Sequence, residues 1–204
     1  MGRLEGRRAL VTGASRGFGR ATALAFGREG ADVIVNYFAT PDGAGEVVRE
    51  LEKMGRRAVA VRADVGREDD VRALIAKALD AFGRLDILVN NAGIMDRGLF
   101  HEVPVTKYER MFATNVTGTM LCTHHALPAM IEQQHGRIIN LSSQLARMGV
   151  GTGGFAAYAA TKGAIEAFTR AIAVEYGRKG IRSHCIRPGP RRYGHDGRDK
   201  GPGR

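Results

Sequence analysis

Short strand-like runs and amphipathic helical stretches alternate along the chain, and this alternation leaves few folds open to it. The runs are Ala9–Val11, Val33–Val35, Ala58–Val61, Ile87–Val89, Ile138–Leu141 and Ile181–Ile186. Between them, helical periods are read at Ala21–Gly27, Gly45–Met54, Asp69–Phe82, Lys107–Gln134 and Tyr158–Tyr176. In the third of these, Val71, Leu74, Ile75 and Leu79 mark one face. Strands that are apolar throughout need a sheet covered on both sides, and strands separated by helices run parallel. Right-handed crossovers then give a doubly wound α/β fold of Rossmann type, with three layers, α/β/α. Pro128 is expected to kink or break the fourth helical stretch.

A chain of 204 residues, 44% hydrophobic and 25% charged, has the make-up of one globular domain. Residues 1–189 are read as that domain. The stretch 190–204 is Gly, Pro and Arg with no apolar period. It cannot offset its ordering entropy and is expected to be disordered. The net charge is +10, and from Arg187 onward six basic residues face two acidic ones. The remaining excess is spread over helices that also carry acids, which describes a solvated, mildly basic surface suited to a polyanionic cofactor. Nucleic acid is not expected as a partner, since the tail offers Tyr193 as its only stacking aromatic. No stretch resembles a secretory signal or a membrane span, so the expected location is cytoplasmic, with Cys122 and Cys185 as reduced thiols. His101, His124, His125 and His135 form no ligand set, and no metal is expected.

The first run enters Thr12-Gly13-Ala14-Ser15-Arg16-Gly17-Phe18-Gly19, and a helix follows directly. Glycines there allow a sharp turn and close approach of backbone to a pyrophosphate, and the helix start offers free N–H groups and a positive dipole end. This is read as a dinucleotide cradle. The second run ends in Asn36-Tyr37-Phe38 without the carboxylate that would hold a ribose 2′-hydroxyl and repel a 2′-phosphate. Together with Arg16, this favours NADP as cofactor, NAD being the alternative.

Tyr158 and Lys162, four apart at the start of a helix, share a face. A cation beside a phenol lowers its pKa and suits it to proton transfer near neutral pH. The ordered combination of the glycine loop, Asn90-Asn91-Ala92-Gly93, Asn115, Ser142-Ser143, Tyr158/Lys162 and Pro188-Gly189 resembles the short-chain dehydrogenase/reductase family over about Leu4 to Gly189. The pattern is most similar to ketoacyl reductases and sugar dehydrogenases. The resemblance implies hydride transfer between a nicotinamide and a carbonyl or secondary alcohol of a small-molecule substrate. It casts Tyr158 as general acid/base, Ser143 as the hydrogen-bond partner of the carbonyl oxygen, and Lys162 as the residue that binds the nicotinamide ribose and lowers the Tyr158 pKa. Asn115 would hold a water in the proton relay. It implies a cofactor-binding set of Gly13, Ser15, Arg16, Gly17, Phe18, Gly19, Asn36, Tyr37, Asp64, Val65, Asn91, Ala92, Gly93, Tyr158, Lys162, Pro188 and Gly189. Asp64 and Val65 are to meet the adenine.

The same comparison exposes departures. The loop from Gln144 to Ala157 is slightly longer than the commonest family form. After Gly189 the family's substrate lid and last strand are expected to be missing. The strand at Ile181–Ile186 is then expected to have an open edge, and the chain to be a poor catalyst. The alternative left open is a truncated or frame-shifted member that binds nucleotide with little or no activity. The family's paired helices correspond to Lys107–Gln134 and Tyr158–Tyr176, which implies a homodimer.

Overall fold

The computed structural model describes residues 2–149 and 153–189. The strands are β1 (Arg8–Val11), β2 (Asp32–Tyr37), β3 (Ala58–Arg62), β4 (Ile87–Asn90), β5 (Gly136–Leu141) and β6 (Ile181–Ile186). They form one six-stranded sheet in the order β3-β2-β1-β4-β5-β6, and every pair is parallel. The helices are α1 (Gly17–Arg28), α2 (Pro41–Lys53), α3 (Glu68–Phe82), α4 (Val105–Met111), α5 (Gly118–Glu132) and α6 (Ala156–Tyr176). The expected doubly wound architecture is present, with most elements a few residues longer than their periodicity indicates. The expected disordered segment, 190–204, lies outside the described residues.

Side-chain alternation in the strands explains why the runs are apolar at every position. Ala9, Val11, Val33 and Val35 pack with Ala23, Leu24, Val47 and Leu51 of α1 and α2. Their neighbours Leu10, Ile34, Leu88 and Ile138 pack with Leu74, Ile75, Cys122, Ala126 and Ile172 of α3, α5 and α6. Both parities face a helical layer, so neither face of the central strands is left to water. Local signals agree at several ends. α2 begins with Pro41, and α3 carries Glu68, Asp69 and Asp70 in its first turn and closes on Gly83 at φ 74°, each a feature that favours a helix terminus.

The fourth helical stretch differs from expectation in where it is interrupted. Pro128 lies inside α5 without breaking it. Pro128 and His124 are both exposed, so the carbonyl deprived of its amide partner can turn to water. The irregular turn comes earlier, as a π-helical segment at Phe112–Thr117 between α4 and α5. No described helix is long and apolar enough to cross a membrane.

The strand order reverses at β1. The chain moves outward through β2 and β3, then returns to place β4 on the other side of β1. The loops leaving the C-terminal ends of β1 and β4 diverge there and open a crevice, the usual place for a ligand in such sheets. The glycine-rich loop, Asn91–Gly93, Ser143 and Pro188–Gly189 all follow directly on strand ends at this edge.

Candidate active site

Between β1 and α1 the backbone turns through Thr12–Arg16. Gly13 and Gly17 both have φ of 60°, which side chains with a Cβ adopt at a cost. A Cβ on Gly13 would lie 3.0 Å from the Ala92 Cα, and one on Gly19 would fall on the Gly13 carbonyl oxygen and the Asn91 amide. The loop is therefore pressed against the segment after β4, and hydrogen bonds hold it there. Asn91 Nδ2 donates to the Thr12 and Gly13 carbonyls at 2.7 and 3.1 Å. The backbone amides of Asn91 and Ala92 donate to Thr12 Oγ1 at 3.0 and 2.9 Å. α1 begins after an extended Arg16, and no side chain caps it. Its first N–H groups can thus meet an anion, as a dinucleotide pyrophosphate requires.

Two of the residues assigned to the cofactor from sequence also hold the surrounding loops in place. Asn36 is buried; its Oδ1 accepts from the Gly13 amide at 3.1 Å, and its Nδ2 donates to the Ala63 and Val61 carbonyls at 3.1 and 3.3 Å. It braces the glycine loop from behind. Val65 is buried as well, packed against the backbone at Gly118. Asp64, half-buried, accepts from the Gly66 amide at 2.9 Å. Ser15 Oγ shares a hydrogen bond with Thr40 Oγ1. Arg16 is exposed at the head of α1, and Tyr37 is half-buried where β2 ends. Across from Tyr37, on β3, lies Arg62, which sequence reasoning passed over. Its guanidinium sits 5.4 Å from the Phe38 ring centroid, and its Nε donates to the Phe38 carbonyl at 3.3 Å.

The other end of the crevice opens into a cleft of about 220 Å³. Phe18 forms one wall; Asn91, Gly93, Ile94 and Met95 follow from β4; Leu141, Ser142 and Ser143 from β5; Pro188 and Gly189 from β6; Tyr158 and Lys162 face it from α6. Residues spread over 172 positions of sequence, Phe18 to Gly189, thus line one space because each lies just past a strand or in a helix start at the same sheet edge. Tyr158 is half-buried and burial pushes its phenol pKa up, while the Ser143 hydroxyl works the other way. Lys162 is only 4% exposed; burial lowers its pKa to about 8, with Cys185 opposing. Its Nζ donates to the Leu141 carbonyl at 2.6 Å and lies 5.6 Å from the Tyr158 ring centroid. The expected lowering of the Tyr158 pKa by Lys162 is not what the structure gives. Desolvation dominates both groups, and the ammonium is turned toward a backbone carbonyl.

Asn115 stands behind the cleft, buried in the π-helical turn. Its Oδ1 accepts from the Ile94 amide at 2.8 Å, and its Nδ2 donates to the Ile94 carbonyl at 2.9 Å and to Thr161 Oγ1 at 3.1 Å. A Cβ on Gly93 would lie 3.2 Å from Asn115 Oδ1 and 3.6 Å from Lys162 Nζ, so glycine keeps these two groups accessible to one another. One turn past Lys162, Glu166 is 5% exposed. Arg187 binds both its oxygens, with Nε on Oε1 and Nη2 on Oε2 at 3.0 Å. Arg147 Nε reaches Oε2 at 3.1 Å, and Ser142 Oγ reaches Oε1 at 3.1 Å. Hydrogen bonding from Arg187, then from Arg147 and Ser142, outweighs burial and holds this carboxyl down to about 2. Sequence reasoning missed Glu166. The one signal for it was an acid four residues after Lys162, on the same face of the helix.

Residues 7–195 match the short chain dehydrogenase family. The chain belongs to that family. Among short-chain dehydrogenases it is 41% identical over 181 residues to a 3-oxoacyl-[acyl-carrier-protein] reductase of Synechocystis sp., covering 89% of this chain and 72% of the relative. It is 39% identical over 192 residues to glucose 1-dehydrogenase 2 of Bacillus subtilis, covering 91% and 72%. A crystal structure from Sinorhizobium meliloti 1021, of a protein assigned to the short-chain alcohol dehydrogenases, superposes with a TM-score of 0.88 at 38% identity, covering 93% of this chain and 74% of that one. Short-chain dehydrogenases are oxidoreductases that bind nicotinamide dinucleotides and act on small molecules. The uncapped α1, the glycine turn a Cβ would fill and the hydroxyl-lined cleft at the same sheet edge suit such a cofactor.

Proposed function

We propose that this short-chain dehydrogenase interconverts a carbonyl compound and its secondary alcohol, using NADP(H), with Tyr158 as the proton-transferring group. One observation carries the reading: Ser143, Tyr158 and Lys162 face a single cleft that Phe18, at the start of α1, also lines. The loop residues Gly13, Ser15, Arg16, Gly17 and Gly19 and the α1 N-terminus would hold the pyrophosphate half. Phe18, Asn91, Ala92, Gly93, Pro188 and Gly189 would border the nicotinamide half. The nicotinamide supplies the hydride when bound.

The remaining steps belong to the protein. In the reductive direction the Ser143 hydroxyl donates to the substrate carbonyl oxygen and polarises it. Tyr158 then gives its phenolic proton to that oxygen, and the Lys162 ammonium, 5.6 Å from the Tyr158 ring centroid, is the cation beside the phenolate left behind. A Lys162 pKa near 8 leaves the ammonium charged at neutral pH, where this is needed. Asn115 anchors Ile94 beside the cofactor's path and joins it to Thr161, the neighbour of Lys162 on α6, a place from which a water would return the proton. At the other end, β2 ends in Tyr37 and Phe38 without a carboxylate, while Arg16 and Arg62 supply cations. This favours a 2′-phosphate over a free ribose hydroxyl.

The test titrates the protein with NADPH and with NADH by fluorescence, then follows NADPH oxidation with a panel of ketones, 3-oxoacyl thioesters and aldoses. NADPH is expected to bind at least tenfold more tightly than NADH. Tyr158→Phe is expected to lower turnover by about 10²–10⁴-fold while leaving NADPH binding largely intact. Equal turnover in Tyr158→Phe would remove Tyr158 from the reaction. NADPH binding with no turnover on any substrate would leave a nucleotide-binding protein and no reductase.

A further inference from the structure

We infer that Glu166 is a positioning residue of the cleft: its carboxylate ties the ends of β5 and β6 to α6 and so sets Ser143, Lys162 and Pro188–Gly189 relative to one another. The inference rests on the catalytic reading above, since positioning matters for turnover only if these residues perform it.

Of the five stretches of chain that line the cleft, three meet at Glu166: the end of β5, the end of β6 and α6. Ser142 precedes Ser143 and donates to Glu166 Oε1 at 3.1 Å; it also reaches the Lys162 carbonyl at 3.2 Å. Arg187 precedes Pro188 and grips both carboxylate oxygens. Arg147, just past the 3₁₀ turn that begins after Ser143, donates to Oε2 at 3.1 Å. Glu166 itself lies one turn after Lys162 on the inner face of α6. A shift of the carboxylate would therefore be passed through one peptide unit to Ser143 and to Pro188, and through one helical turn to Lys162.

The β5–β6 ladder ends at Leu141↔Ile186, and past it few bonds join the two segments. Among the described residues β6 pairs with β5 alone. Past Leu141 the two segments are linked through the backbone by Ser142 N to the Ile186 carbonyl at 2.8 Å and Gln144 N to the Pro188 carbonyl at 3.3 Å. Pro188 has no N–H to add a further rung. A carboxylate suits the task because it accepts from four donors at once and meets the Arg187 fork bidentately. Glutamine would keep the shape but turn an NH₂ toward a guanidinium. Fold stability does not by itself call for this arrangement, since a buried ion pair replaced by apolar groups of similar size is often as stable or more so.

That last point separates positioning from bulk stability. The full chain is compared with Glu166→Gln and with the double variant Glu166→Met/Arg187→Met, by thermal melting, by kcat and KM, and by hydrogen exchange of peptides covering 141–149 and 186–189. The double variant is expected to melt close to the parent while kcat falls about 10- to 100-fold, the scale set by small misplacements of reacting groups. The KM for NADPH is expected to stay within about threefold, and Glu166→Gln to fall between parent and double variant. Amide exchange is expected to quicken in the two named peptides and nowhere else. Unchanged kcat in a double variant that melts like the parent would overturn the inference. So would exchange that is unaltered in both peptides, or raised uniformly over the chain. If the double variant does not fold, Glu166→Gln supplies the same readings. A parent chain without turnover would sink the catalytic reading, whereas the exchange pattern would still decide whether Glu166 orders these segments.

Discussion

Lys162 bears its charge where water hardly reaches, and the consequence is a pH dependence of opposite sign to that of a surface lysine. Its folded pKa, about 8, lies below the ordinary 10.5. At neutral pH both folded and unfolded chains hold the proton, and the fold carries the full desolvation cost. Between pH 8 and 10.5 the folded chain gives the proton up while the unfolded chain keeps it, so the unfolded state binds more protons and stability rises with pH. The whole effect is about 3 kcal/mol at most. Lys162→Met is expected to melt higher than the parent at pH 7 and to lose the rise in melting temperature between pH 8 and 10.5, as read by melting curves across that range. A lower melting temperature at pH 7 would show that the bond to the Leu141 carbonyl outweighs the buried charge. Turnover is expected to fall with the same substitution, because the proposed reaction needs that ammonium beside the phenolate. A residue kept at such a cost to stability would fit the proposed role, since strongly perturbed groups in clefts are often functional.

At the scale of elements, the glycine turn with α1 is the part whose geometry has least room for change. Gly19 is already inside the helix, yet its Cα faces the Gly13 carbonyl and the Asn91 amide at a distance that admits no Cβ. Gly19→Ala is expected to open the contact between the glycine loop and the Asn91–Gly93 segment and to weaken NADPH binding more than tenfold, measured by fluorescence titration. Retained affinity would mean that the loop can shift without disturbing the site. Asn36 belongs to the same element pair although it sits on β2. Strand periodicity identified it as a strand-end residue, the position that faces the ribose in dinucleotide folds. Only the packing of β1 and β3 on either side of β2 shows that its amide reaches Gly13, Ala63 and Val61. In the α4–α5 region, composition pointed to Pro128 as the irregular place. The bend in hydrogen bonding lies instead at Phe112–Thr117, where Asn115 reaches Ile94 and Thr161; π-turns of this kind gather at functional sites because they re-aim a side chain.

For the whole molecule, the apolar side chains that stay in water on a single copy include Phe112, Met120 and Val174, the last 83% exposed. They lie on the π-turn, α5 and α6, the helices matched to the family's paired-helix interface. We expect a dimer through this face, seen by sedimentation velocity, and expect Met120→Glu with Val174→Glu to give a monomer of unchanged circular dichroism. A monomeric parent chain would contradict it. How much of this molecule could be read from its residues follows from the range of the forces involved. Strand and helix order, the parallel sheet and the glycine cradle depend on local period and on backbone freedom, and these are written along the chain. Ser143, Tyr158 and Lys162 were legible because each sits in a short motif. The sequence alone determined which elements form and, by resemblance, which groups are proposed to carry chemistry. Tertiary structure decided the roles of Asn36, Arg62 and Glu166, and the direction of the Tyr158 and Lys162 pKa shifts. A buried amide, a cation over a ring and a carboxylate between two arginines are defined by neighbours far away in the chain. Desolvation, which sets both pKa values, exists only once the cleft has closed around them.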